Sequence, residues 1–445
     1  MKLTILGGGG FRVPLVYGAL LGDTHETRIR EVCLYDVDPA RLSAISHVLG
    51  QLARDHPGAP VVTTATDLDD SLRGATFVFS AIRVGGLAAR TADERVALDL
   101  GALGQETTGP GGIAYGLRTI PVAVHVAERV AAICPDAWVI NFTNPAGMIT
   151  EAMQRVLGDH VVGICDSPLG LGRRAARALD LDATRTSFDY VGLNHLGWLR
   201  GLTCQGRDRL PELLADPMLL AALEEGQLFG ADWIQSLGML PNEYLYYYYF
   251  TREAVAAIRG GPQTRGEFLL RQQEEFYAHV ADRPEAARQE WDRVRRERNA
   301  TYMSDVHGED DERDAADVEG GGYEGVALAL MAAIARGEPT TMILNVRNSS
   351  SVPGLPADAV VEVPCAVGPF APHPLATRPL DLPELGLVQQ VKAAERLTIQ
   401  AASTGSARTA VRALAVHPLV DSVSTARVLL DGYRAAIPQL SAVIR

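Results

Sequence analysis

A short apolar strand that runs directly into four glycines constrains this chain more than any other feature. Residues 2–6 read as the strand, Gly7-Gly8-Gly9-Gly10 as the turn and residues 12–21 as a helix that tolerates Pro14 near its first turn. Gly7 and Gly9 permit a tight turn and a close approach of backbone to a pyrophosphate, which would rest on the helix N-terminus. The third glycine of the usual fingerprint is absent, because Arg12 stands there. A second strand, Glu31 to Asp36, ends in an acid that can accept hydrogen bonds from ribose hydroxyls. An acid at that place favours NAD over NADP. Gly7, Gly9, Gly10, Phe11, Arg12 and Asp36 are thus candidate cofactor residues. Taken singly they also suit an ordinary turn and a surface aspartate; the strand–helix–strand context favours the nucleotide.

The alternation continues. Val61–Thr64, Phe77–Ser80, Trp138–Ile140 and Val161–Ile164 are short apolar runs, separated by helical patterns at 114–132 and 145–157, and Asp38-Pro39 is a helix start. This predicts a Rossmann-type doubly wound parallel sheet, like that of lactate and malate dehydrogenases. After about residue 190 helical segments dominate (211–226, 263–295, 322–335, 386–403, 421–435), with strands at 341–346 and 359–363. At 445 residues the chain exceeds one comfortable core. The expected division is therefore 1–165, a nucleotide-binding domain, and 166–445, an α+β domain for substrate and subunit contacts. Residues 304–320, rich in Asp, Glu and Gly, read as an exposed loop, either a solvated crossing or a substrate lid.

A formal charge of −13 argues against nucleic-acid binding and means that an anionic substrate must be caught by locally placed arginines. No apolar run has the length of a membrane span, and the first residues lack the pattern of a signal peptide. Five cysteines, scattered singly, fit a reducing compartment, hence the cytoplasm.

The chemistry-bearing residues come later. Cys165-Asp166 follows a strand at the carboxyl end of the expected sheet, and a histidine closes Gly192-Leu193-Asn194-His195. A thiolate and an imidazole suit a divalent transition metal, with substrate oxygens completing the shell. They also suit a buried thiol and a satisfied histidine, and Asp166 equally suits a helix N-cap. The tyrosine-rich stretch Pro241–Tyr249 reads first as packing. Asn141 to Pro145 resembles the Asn-Pro turn near the nicotinamide in lactate and malate dehydrogenases.

Taken together, Gly7–Gly10, Arg83–Gly86, the run Gln105-Glu106-Thr107-Thr108-Gly109-Pro110-Gly111-Gly112, Asn141–Pro145, Cys165–Pro168, Gly192–His195, Pro241–Tyr249 and Val361–Pro364 resemble glycoside hydrolase family 4. This is the NAD- and metal-dependent group that includes 6-phospho-α- and 6-phospho-β-glucosidases. The resemblance implies that Cys165 and His195 hold a metal, usually Mn2+. It implies Asp166 as the leaving-group acid and Tyr244 as the base. Arg90 and Arg265 match phosphate-binding arginines, Arg83 is a further guanidinium at the cofactor end, and Glu106, Asn144 and Asn194 line the sugar pocket. The implied substrate is a phosphorylated disaccharide or aryl glucoside, and the implied assembly a homodimer or homotetramer. The implied route oxidises the sugar at C3, removes the C2 proton, eliminates the aglycone, adds water and re-reduces C3. Cys165-Asp-Ser-Pro168 departs from the family's Cys-Asn-Val-Pro (β) and Cys-Asp-Met-Pro (α), while other segments look nearer the β group. A 6-phospho-β-glucosidase is expected, with the α enzyme and an NAD-dependent 2-hydroxy-acid dehydrogenase as alternatives.

Overall fold

The computed structural model describes residues 1–300, 322–369 and 371–445. The acidic segment expected at 304–320 lies outside the described residues.

Six strands, β1 (Lys2–Leu6), β2 (Glu31–Tyr35), β3 (Val61–Ala65), β4 (Phe77–Ser80), β5 (Trp138–Asn141) and β6 (Val161–Gly163), pair in parallel. Their order is β3–β2–β1–β4–β5–β6, the doubly wound arrangement with its switch point between β1 and β4. Alternate side chains enter two cores: Phe77 and Phe79 pack on one face, with Leu3 and Ile5, and Val78 on the other, with Leu6 and Val139. That is why the central strands β4 to β6 read as short apolar runs, whereas β3, at the sheet edge, is largely exposed.

Beyond β6 the same sheet turns antiparallel. It adds β7 (Thr186–Leu193), β8 (Leu196–Cys204), β9 (Arg207–Asp208), β10 (Leu240–Pro241), β11 (Thr340–Arg347), β12 (Val360–Val367) and β13 (Pro372–Pro374). The order continues β6–β11–β12–β7–β8–β10, with β9 and β13 paired to β8 and β12. One register row crosses this half: Gly163 of β6 faces Asn345 of β11, Asn345 faces Glu362 of β12, and Glu362 faces Gly192 of β7.

The β7–β8 hairpin is absent from the sequence expectations, as is the helix Gly86–Asp99. The helix expected at 114–132 runs from Gly109 to Ile133, so the glycine-rich run forms its first turn. The long helix expected at 263–295 breaks into Arg265–Asp282 and Ala287–Ala300 at Pro284, which lacks an N–H and clashes with the preceding turn. That expected at 211–226 divides into Leu210–Ala215, Pro217–Ala221 and Glu224–Phe229, the second capped by Asp216. Among the described residues no helix is long and apolar enough to cross a membrane.

Candidate active site

The loops that leave the carboxyl ends of the parallel strands open onto one cleft of about 1280 Å³. Gly7, Gly10, Phe11, Arg12, Asp36, Arg83, Arg90, Glu106, Asn144, Cys165, Asp166, Asn194, His195, Tyr244 and Arg265 all border it. Gly9 does not: it is packed against Asp36 and Arg41, where a Cβ would come within 2.7 Å of the Arg41 Cβ. Its amide instead donates to Asp36 Oδ2 at 3.0 Å and so orients the acid that ends β2. Gly7 sits at φ +81°, and a Cβ there would stand 2.6 Å from the Ala81 carbonyl oxygen, so only glycine lets the β1 turn pass β4 this closely. The Phe11 ring is buried edge-on to Phe276, and its carbonyl accepts from Trp291 Nε1, which makes it a wall of the cleft continuous with the core.

Cys165 lies two residues beyond Gly163, at the end of β6, and His195 three beyond Gly192, in the turn after β7; both border the cleft. His195 is the second residue of the two-residue β7–β8 turn, at φ +61°, a left-handed conformation costing about 1–2 kcal/mol outside glycine. Gly192 makes the turn possible, because a Cβ there would stand 2.1 Å from Leu196 O. Burial pushes the imidazole down to about 3, so it is neutral and can offer a lone pair. Burial first, then the Glu362 and Asp166 carboxyls, push the Cys165 thiol well above its ordinary range. A thiol among carboxyls is an arrangement that an added cation stabilises. A soft sulfur and a neutral nitrogen on one cleft wall therefore fit a divalent transition metal. Among the described residues no cluster of three or more His, Cys, Asp or Glu donors is present.

Asp166 occupies the N-cap position of the helix Ser167–Ala178 but makes no side-chain capping bond. Its carboxylate borders the cleft instead. Tyr244 lies flat on His195, ring centroids 3.6 Å apart and planes 4° off parallel. Tyr244 and Tyr247 alone of the five tyrosines at 244–249 border this cleft. Tyr246 stacks on Phe250, Tyr248 packs near His417, and the Tyr249 hydroxyl accepts from Trp198 Nε1 at 3.1 Å.

Charge is arranged in two groups. Glu106 accepts from Arg83 at 2.5 Å and from Arg90 at 2.8 Å, and Arg90 also donates to Glu94 at 2.9 Å. Burial opposes ionisation of Glu106, but the two guanidiniums outweigh it and hold its carboxyl at about 2. Arg298, which the sequence reading missed, lies half-buried at the cleft with Arg12, Arg265, Arg90 and Arg83 around it. Burial and these like charges push it well below the ordinary arginine range. Such a concentration of cationic groups draws an anion of two charges.

Two buried acids were also missed as site residues. Glu362 accepts from Asn194 at 3.2 Å, Asn345 at 2.8 Å and the Tyr190 hydroxyl at 3.3 Å, and burial raises it to about 7. Glu243, raised by burial to about 7, accepts from Ser167 Oγ at 2.6 Å. Both stand in motifs visible in the sequence, but their partners are distant in it.

The family comparison agrees with this geometry. Residues 2–181 match the model described as Family 4 glycosyl hydrolase, and residues 190–420 its C-terminal domain. The chain belongs to glycosyl hydrolase family 4, and is a glycoside hydrolase. It is 32% identical to the 6-phospho-beta-glucosidase of Escherichia coli over 96% of this chain and 93% of that one. It is 29% identical to the maltose-6'-phosphate glucosidase of Bacillus subtilis, over 97% and 94%. Its fold superposes with a TM-score of 0.83 on the 6-phospho-beta glucosidase of Thermotoga maritima solved with manganese, NAD+ and glucose-6-phosphate (27% identity, 100% of this chain, 99% of that one).

Proposed function

We propose that the chain hydrolyses 6-phosphoglucosides, the β-linked ones in particular, with NAD and a divalent metal, Mn2+, as cofactors. The observation that carries this reading is the convergence of Cys165, His195, Asp166, Tyr244 and an arginine cluster on one cleft at the switch end of a dinucleotide-binding sheet. The β preference rests on the 32% identity to a β enzyme against 29% to a maltose-phosphate enzyme.

In this reading Gly7, Gly10 and the helix Val13–Leu21 receive the pyrophosphate, Asp36 the ribose, and Cys165 and His195 the metal. Bound NAD would supply a reversible hydride acceptor, and a metal held by Cys165 and His195 would supply Lewis acidity toward the sugar oxygens. Tyr244 removes the C2 proton once C3 is a ketone, because that proton is then α to a carbonyl. Asp166 gives a proton to the departing C1 oxygen, a contribution of roughly 10²–10⁴ in rate. Arg265 and Arg298 receive the phosphate together with Arg90, whose guanidinium Glu94 and Glu106 hold in place. Asn144 and Asn194 line the sugar, Glu362 orients Asn194, and Arg83 spans the gap toward the cofactor. Residues 1–165 thereby bind the nucleotide, and 166–445 supply the acid, the base and the contacts of a homodimer or homotetramer in the cytoplasm.

The test is hydrolysis of 4-nitrophenyl 6-phospho-α- and β-glucosides against their unphosphorylated counterparts, each with and without NAD and Mn2+. Turnover confined to the phosphorylated substrates, and dependent on both cofactors, is expected. Equal turnover without them would overturn the reading. Stoichiometric NADH accumulation on 2-hydroxy acids would replace it with a dehydrogenase.

A further inference from the structure

The groups around His195 set the position of a proton as well as of a ring. Gln105 Oε1 stands 2.6 Å from Thr107 N and 2.7 Å from Thr108 N. Backbone N–H groups only donate, so the Gln105 atom facing them has to be the carbonyl oxygen. The Thr107 hydroxyl lies 3.1 Å from that same oxygen. An amide oxygen only accepts, so the hydroxyl proton points toward Gln105. What Thr107 Oγ1 then offers to His195 Nδ1, 2.9 Å away, is a lone pair. A neutral imidazole has one N–H to place, and this partner takes it at Nδ1. Tyr244, stacked on the ring, opposes the flip that would exchange the two nitrogens.

We propose that Gln105 and Thr107 are positioning residues that lock His195 in the Nδ1–H tautomer, leaving Nε2 as its one ring nitrogen with a free lone pair for the cation. The proposal rests on the reading of His195 as a metal ligand and adds the device that selects its ligating atom. Partners of this kind fix ring orientation and raise ligand basicity, and their loss typically weakens metal binding about 10- to 100-fold.

The test has two arms. Metal-free protein carrying 15N-labelled histidine is examined near pH 8 by two-bond 1H–15N spectra, with His195 assigned by the signals lost in His195→Asn. A protonated Nδ1 and bare Nε2 are expected in the native protein and in Thr107→Ser, and a mixed or reversed population in Thr107→Val. The NAD-loaded proteins are then titrated with Mn2+, where Thr107→Val should bind about 10- to 100-fold more weakly and Thr107→Ser close to native. A native Nε2–H tautomer overturns the proposal. So does native Mn2+ affinity in Thr107→Val when His195→Asn has lost it. Unchanged affinity in His195→Asn instead refutes the metal-ligand reading, and the spectra still decide the tautomer.

Discussion

Ser167 donates a 2.6 Å hydrogen bond to Glu243, joining the residue after Asp166 to the residue before Tyr244. The proposed acid and base are thus set on two segments, one after β6 and one after β10, that are tied to each other beside the cleft. The hydroxyl is the feature in which Cys165-Asp-Ser-Pro168 departs from the valine or methionine of its resembled motifs. Glu243 Oε2 has no hydrogen-bond partner among the described residues, so Ser167 is a principal contact of a buried carboxyl. Ser167→Ala should lower stability by about 1–3 kcal/mol, the cost of leaving such a group unsatisfied. It should also lower kcat more than it raises KM, because the loosened spacing is felt at the chemical step. Urea unfolding and steady-state kinetics check both, and an unchanged midpoint would show that the bond contributes nothing.

Tyr244→Phe keeps the ring that covers His195 and removes only the hydroxyl. If that oxygen is the base, exchange of the sugar C2 hydrogen with deuterated water stops, and kcat falls by roughly 10²–10⁴. Mn2+ affinity should stay near native, since the stacked ring remains. Undiminished exchange would transfer the role to Tyr247, the neighbouring ring on the cleft.

Much of this site is legible in the sequence, and the reason is local. β1, β2, β4, β5 and β6 are short, largely buried apolar runs, so each announces itself, and the segment after each supplies a site residue. The β7–β8 hairpin does not. Thr186–Leu193 and Leu196–Cys204 carry Gly192, Gly197, Gly201 and Asp189, which depress strand preference, and the strands are held by pairing with β12. His195 could therefore be named but not placed. Glu362 stands in Val361-Glu-Val-Pro364, yet its work is done on Asn194, Asn345 and Tyr190, contacts that arise only from the register row. Arg298 sits in an arginine-rich helix, Ala287–Ala300, whose other cations make surface pairs such as Arg293 with Glu290, and nothing local distinguishes it.

Glu94 and Glu106 bind Arg90, and Arg298 stands at the cleft among Arg12, Arg265, Arg90 and Arg83, a cationic group suited to a dianion. Arg298→Ala should raise KM for a 6-phosphoglucoside by about 10- to 100-fold, the loss of a charge-assisted bond of roughly 1.5–3 kcal/mol, and leave KM for the unphosphorylated glucoside nearly unchanged. Arg90→Ala should show the same selectivity with added loss of stability, because Glu94 and Glu106 lose a cation. Equal effects on both substrates would remove either residue from the phosphate site.

Cys165→Ser replaces a soft thiolate by a hard, weakly acidic hydroxyl beside the Glu362 and Asp166 carboxyls. Activity should fall to background, and Mn2+ bound at equilibrium should fall with it. Exhaustive chelation of the native protein should reproduce the loss, and added Mn2+ should restore it in the native protein alone. Turnover that survives chelation would place the chemistry elsewhere.

Glu362 gives the fold a pH dependence whose sign can be worked out. Burial raises its pKa from 4.5 to about 7, so between these values the folded protein binds more protons than the unfolded chain. Stability from this group is fully present below pH 4.5 and is lost as pH rises through 7. The shift corresponds to about 3 kcal/mol. Glu362→Gln keeps an oxygen for Asn194 and Asn345 but cannot ionise. Metal-free native protein should therefore lose stability between pH 5 and 8 relative to Glu362→Gln, measured by urea unfolding at each pH. Parallel curves for the two proteins would mean that Glu362 is already ionised at pH 5, held so by the two asparagines and Tyr190.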